Sequence, residues 1–492
     1  MKLFRRNREE KVKKAEVAPM SHRQFEAAVR SRLYDWVAQS IDMDSDIKQS
    51  LGEMRDQTRD LAKNNDYLKR YLELLKTHVV GPVGVQLQCR FKNKKGELDD
   101  KVNDAIENAF KSWSRNPEVT GKHSWVDVQK LVISTAARDG EAFVRKVLNT
   151  DHNKFKFSLQ LIDAAVLDHK LNVEDHNGNE IKMGIELDEW GAAVAYYFKT
   201  KKTRGKDVVN MEGTHYLRIK AQEIYHVLDC SDMNQTRGVP WCHTSVNRFK
   251  MLSGYEQAEL VASRVAASKM GFFKRTNPDA RYTGEDDEHD DRGNVIQEAD
   301  PGSMTELPFG VEFQAWDPEH PGGNFKPFVK AVLRGASTGL NISYNTLAND
   351  LEGVNYSSLR AGLLEERDYY KSLQQWFINS FLVPVYQDWL KQAVAKKQLK
   401  IKIDNLDEYE YPKFMPRRWA WVDPLKDTTS ALKSIEGGLN SRTAVAAEQG
   451  RSLEDVLDEL EREEKMIQKK KLTVSGGKPP EVKPEEDSDD DE

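Results

Sequence analysis

Three stretches of this chain combine residue types that could do chemistry. Gly335-Ala336-Ser337-Thr338-Gly339 matches G-x-S-x-G, the turn that presents a serine nucleophile at the end of a buried strand. That chemistry also needs an oxyanion loop and a later histidine as base, yet no His follows His320, and the run before the motif, Phe328-Val-Lys-Ala-Val-Leu-Arg, suits a helix equally well. The match is expected to be fortuitous, and the residues assign no catalytic role. Asp175, Asn177, Asn179 and Glu186 occupy positions 1, 3, 5 and 12 of a calcium-loop pattern, but position 6, which must be Gly for the sharp turn, is Glu180. A hairpin turn at Asn177-Gly178 is the expectation there. Glu288-His289-Asp290 could collect a divalent cation but sits in a run of like charge, where a solvated face is expected. No phosphate-cradling G-x-x-x-x-G-K-[ST], zinc-binding H-E-x-x-H or G-x-G-x-x-G after a strand occurs, so no metal and no cofactor is assigned.

The bulk properties point the same way. The 492 residues carry 74 Lys+Arg against 80 Asp+Glu, a net charge of -6. A generic nucleic-acid binder, whose affinity comes from excess cations, is therefore not expected, and any DNA contact is local or repulsive. Cys89, Cys230 and Cys242 make neither an even disulfide framework nor a CxxC pair, which fits a reducing compartment and an intracellular origin. The basic opening, Lys2 to Arg8, is followed by more charge where a secretory signal needs an apolar stretch. The most apolar run, residues 258–273, contains Glu259, Arg264 and Lys269, so no membrane span and no membrane partner are expected.

The elements that would position these residues change character along the chain. At roughly 150 residues per domain the length suggests about three units. Residues 1–14 hold seven Lys/Arg against two Glu, residues 276–300 are strongly acidic, and the chain closes on Glu485-Glu486-Asp487-Ser488-Asp489-Asp490-Asp491-Glu492; both termini are expected to be disordered. Leu61, Leu68, Tyr71, Leu72 and Leu75 recur at helical spacing until Gly81-Pro82. Short alternating runs follow, such as Val85, Leu87, Cys89 and Phe155, Phe157, Leu159, Leu161, around a helix over residues 124–138, giving an α+β class. Alanine-rich helix is expected over residues 246–273, strands and turns in the proline-bearing stretch to Pro327, and a long helix over residues 357–397 kinked by Pro384. Ser452 with Asp455 resembles a capping box before a last helix.

Several ordered stretches resemble the lambda-type family of tailed-phage portal proteins. They are Asp60-Leu-Ala-Lys-Asn-Asn65, Arg138-Asp-Gly-Glu-Ala-Phe143, Leu159-Gln-Leu-Ile-Asp163, Gly184-Ile-Glu-Leu-Asp188 with Gly191 and Ala195-Tyr196, and Glu223-Ile-Tyr-His226. Gln235-Thr-Arg-Gly-Val-Pro240, Tyr255 with Ala258-Glu-Leu-Val-Ala262, Asn355-Tyr-Ser-Ser-Leu-Arg360, Gln374-Gln-Trp376, Pro384-Val-Tyr386 with Trp389, and Trp421-Val-Asp-Pro424 complete the set. No single piece is specific; their order over residues 54–467 carries the resemblance. The acidic residues Glu285 to Asp291 and the acidic tail have no counterpart in it.

The resemblance implies an α+β, portal-like protomer that assembles into a ring, typically of twelve subunits. On this chain it implies a basic arm and helix at 1–53, an α+β wing at 54–245, a two-helix stem at 246–273 and 327–341, and a clip subdomain at 274–326. A tunnel loop at 342–356, a long wing helix and return to the wing at 357–419, a helical crown at 420–471 and an acidic tail at 472–492 complete the map. The ring would be a passive channel at one procapsid vertex, assembled in the host cytoplasm and retained in the virion, through which double-stranded DNA is packaged and later ejected. It would not be an enzyme: the terminase large subunit supplies ATP hydrolysis. Partners implied are that subunit, a head-completion or adaptor protein, the major capsid protein and the scaffold. Asn345, Asn349, Asp350, Glu352, Asn355 and Tyr356 are the implied tunnel-loop residues, and Asp286, Asp287, Asp290 and Asp291 the implied docking residues of the clip. A nucleic-acid-associated scaffold without a channel, a hydrolase built on Ser337 and a host structural protein are the competing readings.

Overall fold

The computed structural model describes residues 42–92, 98–176, 178–211, 213–267, 271–275, 288–289, 295–296, 311–315, 325–401, 403–419, 424–448 and 453–470. In chain order its helices are α1 (Met43–Asn64), α2 (Asp66–Leu75), α3 (Asp100–Trp113), α4 (Trp125–Asp139), α5 (Val246–Ala267), α6 (Phe325–Gly339), α7 (Tyr344–Ala348), α8 (Tyr356–Phe377), α9 (Val383–Ala395), α10 (Pro424–Glu436), α11 (Arg442–Glu448) and α12 (Leu453–Lys470). The strands are β1 (Gln86–Gln88), β2 (Glu141–Leu148), β3 (Phe157–Ile162), β4 (Val173–His176), β5 (Asn179–Lys182), β6 (Ile185–Leu187), β7 (Ala193–Lys199), β8 (Val208–Met211), β9 (Thr214–Lys220), β10 (Ile224–Leu228), β11 (Gly271–Arg275), β12 (Glu288–His289), β13 (Val295–Ile296), β14 (Val311–Ala315) and β15 (Lys413–Met415). The mixture is the α+β class expected. The chain divides into two compact units where length alone suggested about three.

The first unit gathers Met1–Asp60, Thr135–Lys146 and Leu161–His243. Its centre is an antiparallel six-stranded sheet in the order β4-β5-β6-β7-β9-β8. Alternation along β7 sends Tyr196 and Phe198 into one cluster, with Phe143, Leu167, Ile185 and Ile219, and Ala195 and Tyr197 into another, with Leu171, Ile181 and Tyr216. Both faces of that strand are therefore buried over Ala195–Phe198, which is why it carries an unbroken apolar run from Ala193 to Phe198. Burying a phenylalanine of this kind contributes roughly 1.5–3 kcal/mol.

The second unit gathers Leu61–Ser134, Val147–Gln160 and Thr244–Glu492. Its core is aromatic: Phe110, Trp113, Trp125, Phe381 and Trp389 lie within 4.9–6.3 Å of one another in successive ring pairs. The buried Trp113 Nε1 donates to the carbonyl of Phe157 at 2.9 Å, so the indole is satisfied inside that core. The long helix expected over 357–397 is present as α8 and α9, joined by a five-residue π turn, Ile378–Leu382. Pro384 has no N–H for the carbonyl of Ser380 and its ring would crowd that turn; the widened turn takes up the conflict that sequence alone read as a kink. Helix α5 spans Val246–Ala267, and residues 271–273, expected to be helical, open β11, which pairs with β14. The aromatic, β-suited Phe272-Phe273 explains the change. Helix α12 ties back within this unit, where Glu459 pairs with Arg90 and Arg462 reaches Asp100 at 3.1 Å.

Candidate functional site

Part of the segment expected as a tunnel loop, Tyr344–Ala348, is helix. Ser343 caps α7 by accepting from the Thr346 N–H, so Asn345 falls within a short helix whose Leu347 is buried, and the loop proper runs from Asn349 to Asn355. Asn349 closes α7 in the left-handed conformation at φ 53°, which Asn tolerates better than most residues. Asn355 then caps α8, accepting from the Ser358 N–H at 2.8 Å, and Tyr356 opens that helix. Beneath the loop, the buried Glu366 of α8 accepts from the Tyr370 hydroxyl at 3.0 Å, the Thr346 hydroxyl at 2.8 Å and the Ser343 N–H at 3.4 Å. Two of these donors come from the first turn of α7 and the third from α8 itself, so one buried carboxylate fixes the start of α7 to α8.

The loop's acids are not loose. Asp350 accepts from the Tyr344 hydroxyl at 2.7 Å and from the Glu352 N–H at 2.9 Å, with Lys330 of α6 at 3.8 Å. Those hydrogen bonds, the tyrosine's first, hold the Asp350 carboxyl below its ordinary range. Partial burial and the bond to Asp350 push the Tyr344 phenol up to about 12. Glu352 pairs with Lys326 of α6, while Asn349, Leu351, Glu352 and Asn355 are exposed. The tip thus offers polar groups to solvent with its negative charge partly neutralised by the helix beneath it.

Ser337 lies inside α6 and is buried, and its hydroxyl donates to the Arg334 carbonyl at 2.9 Å within the same helix. All five residues of the G-x-S-x-G match are helical, which removes the strand-to-helix turn that the hydrolase reading requires. The two glycines have a packing reason instead: a Cβ on Gly335 would meet the Arg248 guanidinium at 2.7 Å, and one on Gly339 the Thr244 hydroxyl at 2.7 Å. Asn179 donates to Glu186, which also accepts from Tyr197 and Arg218, all within the hairpin sheet. The calcium-loop pattern is thereby a β-hairpin, β4 with β5. Among the described residues no group of three or more His, Cys, Asp or Glu side chains is placed to hold a metal ion. Glu288 and His289 pair with Val295 and Ile296. Asp286, Asp287, Asp290 and Asp291, expected as docking residues of a clip, lie outside the described residues, as does Ser452 of the expected capping box.

In the first unit the motif stretches converge on one carboxylate. Glu141, fully buried, accepts from Arg237 Nε at 2.8 Å, from the Gly238 N–H at 3.0 Å and from Arg55, while His226 Nε2 lies 2.9 Å away. Burial alone would raise its pKa, but the Arg237 and Arg55 guanidiniums and the His226 ring hold it well below the usual carboxylate range. Next to it Asp139 takes bidentate contacts from both Arg59 and Arg138. Arg237 is itself fully buried and donates to the Met183 carbonyl at 2.5 Å. These are structural ties. They lock Arg138-Asp-Gly-Glu, Glu223-Ile-Tyr-His and Gln235-Thr-Arg-Gly into one piece, with Arg55, which the quoted stretches omit, as a further partner; a lone arginine on an amphipathic helix gives no sequence signal of burial.

Several known proteins resemble this chain. The family model described as phage portal protein, lambda family, matches residues 30–374. A probable portal protein of Halomonas phage phiHAP-1 is 36% identical over 448 residues, 90% of this chain and 86% of that one. Portal protein B of Escherichia phage lambda is 20% identical over 476 residues, 88% of this chain and 87% of its own. A solved chain from the neck of an empty gene transfer agent (GTA) particle, computed with C6 symmetry, covers 82% of this chain and 94% of itself at 13% identity and a TM-score of 0.43. The chain belongs to the lambda family of phage portal proteins. Among the described residues, no helix is long and apolar enough to cross a membrane.

Proposed function

We propose that the chain is the subunit of a closed ring, of about twelve copies, that forms the channel at one procapsid vertex through which terminase packages double-stranded DNA and through which the genome later leaves. The match to the portal family across residues 30–374 carries this reading. The surface of the single chain supports it: Met251, Leu260 and Val261 on α5 are 76%, 70% and 51% exposed, and Leu425, Leu432, Leu457 and Leu460 on the last helices are also exposed. Apolar side chains left in water in this number suit burial between copies of a ring. In this reading α5 and α6 form the stem, residues 274–326 the clip on which terminase and then a head-completion protein dock, and Asn349 to Asn355 the loop nearest the duplex. That loop holds no Lys or Arg between Asn345 and Tyr356, so it would touch DNA without gripping its phosphates. The near-neutral chain is likewise suited to letting a duplex slide. ATP hydrolysis belongs to terminase. Light scattering coupled to size exclusion tests assembly: twelve copies of 56.4 kDa give about 680 kDa. A monomer stable at micromolar concentration would contradict it.

A further inference from the structure

The second unit contains a cleft of about 1080 Å³ walled by α8 and its π turn, by residues 411–419 and by α10 with α11. Five cationic side chains line it, Arg367, Lys371, Lys413, Arg417 and Arg418, and no Asp or Glu is among the described residues that do. In a chain of net charge -6 that imbalance is local and strong. The walls hold the cations in place. Arg417 donates to the Thr77 carbonyl at 2.8 Å and lies over the Trp419 ring at 5.9 Å, with Arg367 over the same ring at 6.0 Å. Gln374 pins the Arg417 backbone, donating to its carbonyl at 3.0 Å. The field is felt nearby: His78, stacked on Tyr370 at 4.6 Å, is lowered to about 4 by burial and by Arg417, Arg70 and Arg367. Burial and Arg417 also lower Arg367.

We infer that this cleft is a binding site for an acidic peptide, and that its occupant is the chain's own tail, residues 485–492. That segment has seven carboxylate side chains and no base. It follows α12, whose Glu459 lines the adjoining groove together with Lys413, Arg417 and Arg418. Fourteen residues lie between Lys470 and Glu485, enough to span up to roughly 50 Å when extended, so the tether reaches. Tethering supplies an effective concentration on the order of millimolar, at which even a weak electrostatic contact is occupied. A cleft walled on three sides takes a single extended strand, whereas a duplex, stiff over about 150 base pairs, cannot bend into it. The inference goes beyond the channel reading and stands whether or not the ring carries DNA.

Zero-length carbodiimide crosslinking of the intact full-length protein, mapped by mass spectrometry, tests it. At low salt the expected product joins Lys371 or Lys413 to a carboxylate within residues 485–492. At 1 M salt, where the screening length falls to about 3 Å, that product should drop at least about tenfold. The double substitution Arg367→Glu with Arg418→Glu should lower the Lys413 product to a similar extent. If that variant does not fold, the salt series on the unsubstituted chain still decides. Tail carboxylates found only on other lysines, such as those of residues 2–14, or a product insensitive to salt, would overturn the inference. So would protection of Lys371 and Lys413 from acetylation by a short DNA duplex when no tail crosslink forms, which would give the cleft to nucleic acid.

Discussion

Gly140 and Gly238 meet backbone to backbone: a Cβ on Gly140 would lie 2.4 Å from the Gly238 carbonyl carbon, and one on Gly238 2.1 Å from the Gly140 carbonyl oxygen. Gly140 also holds φ 89°, a conformation costly for any L side chain. The contact brings the carboxylate of Glu141 onto the Gly238 N–H and the Arg237 guanidinium. Gly140→Ala or Gly238→Ala should therefore destabilise the protein by about 2 kcal/mol or more, read as a lower urea midpoint.

Removing one partner of the buried pair should cost more than removing the space around it. Arg237→Ala leaves Glu141 charged and buried, and a loss of about 3–5 kcal/mol is expected. Arg237→Met with Glu141→Gln should recover little of it in the same unfolding measurement, because Arg55 then stays buried without its carboxylate.

Stability should fall in acid, and two of the groups responsible, Glu141 and His78, act with the same sign. Glu141 has a folded pKa well below 4.5, so its contribution is complete above the unfolded value and is lost as pH drops below 4.5 toward the folded one. His78 is lowered from 6.5 to about 4: between those values the unfolded chain binds a proton that the folded chain refuses, so stability declines as pH falls through that window. His78→Gln should flatten the upper part of the profile and leave the fall below 4.5. An unchanged profile between pH 6.5 and 4.5 would assign the titration elsewhere.

Ser337→Ala should change stability by less than about 1 kcal/mol, since it removes one hydroxyl bonded within its own helix. Gly339→Val should disturb the approach of α6 to Thr244, with a lower thermal midpoint. Equal effects at both positions would contradict the packing role given to the glycine.

The loop claim narrows with the structure. Because Leu347 is buried and α7 is tied to Glu366, deletion should be confined to residues 349–353. Rings and terminase docking should then survive while retained DNA falls, measured as nuclease-protected, full-length genome per head. If residues 274–326 are the docking clip proposed above, neutralising Asp286, Asp287, Asp290 and Asp291 together should weaken terminase association more at low salt than at high, because screening acts over about 8 Å at physiological ionic strength. Equal binding at every salt concentration would leave those acids as a solvated run.

What the sequence made legible were the features with local causes. The leucines at helical spacing in α2 and the alternation along β3 carry their own periodicity, and the pairing of β4 with β5 follows from a local hairpin. What it hid were relationships at long separation. Arg55 meets Glu141 across 86 positions, and the cations of the cleft come from α8 and from residues 413–418, which look unremarkable apart. The strand at residues 271–273 was missed because its partner, β14, is supplied by Val311–Ala315, far along the chain. The G-x-S-x-G match shows the reverse error, a pattern legible in sequence whose glycines answer to a helix crossing.

The most direct measurement is electron microscopy of the purified full-length protein. A closed ring of about twelve subunits with an axial hole wide enough for a duplex is the expected image. Compact particles without a hole, or open filaments, would contradict the channel.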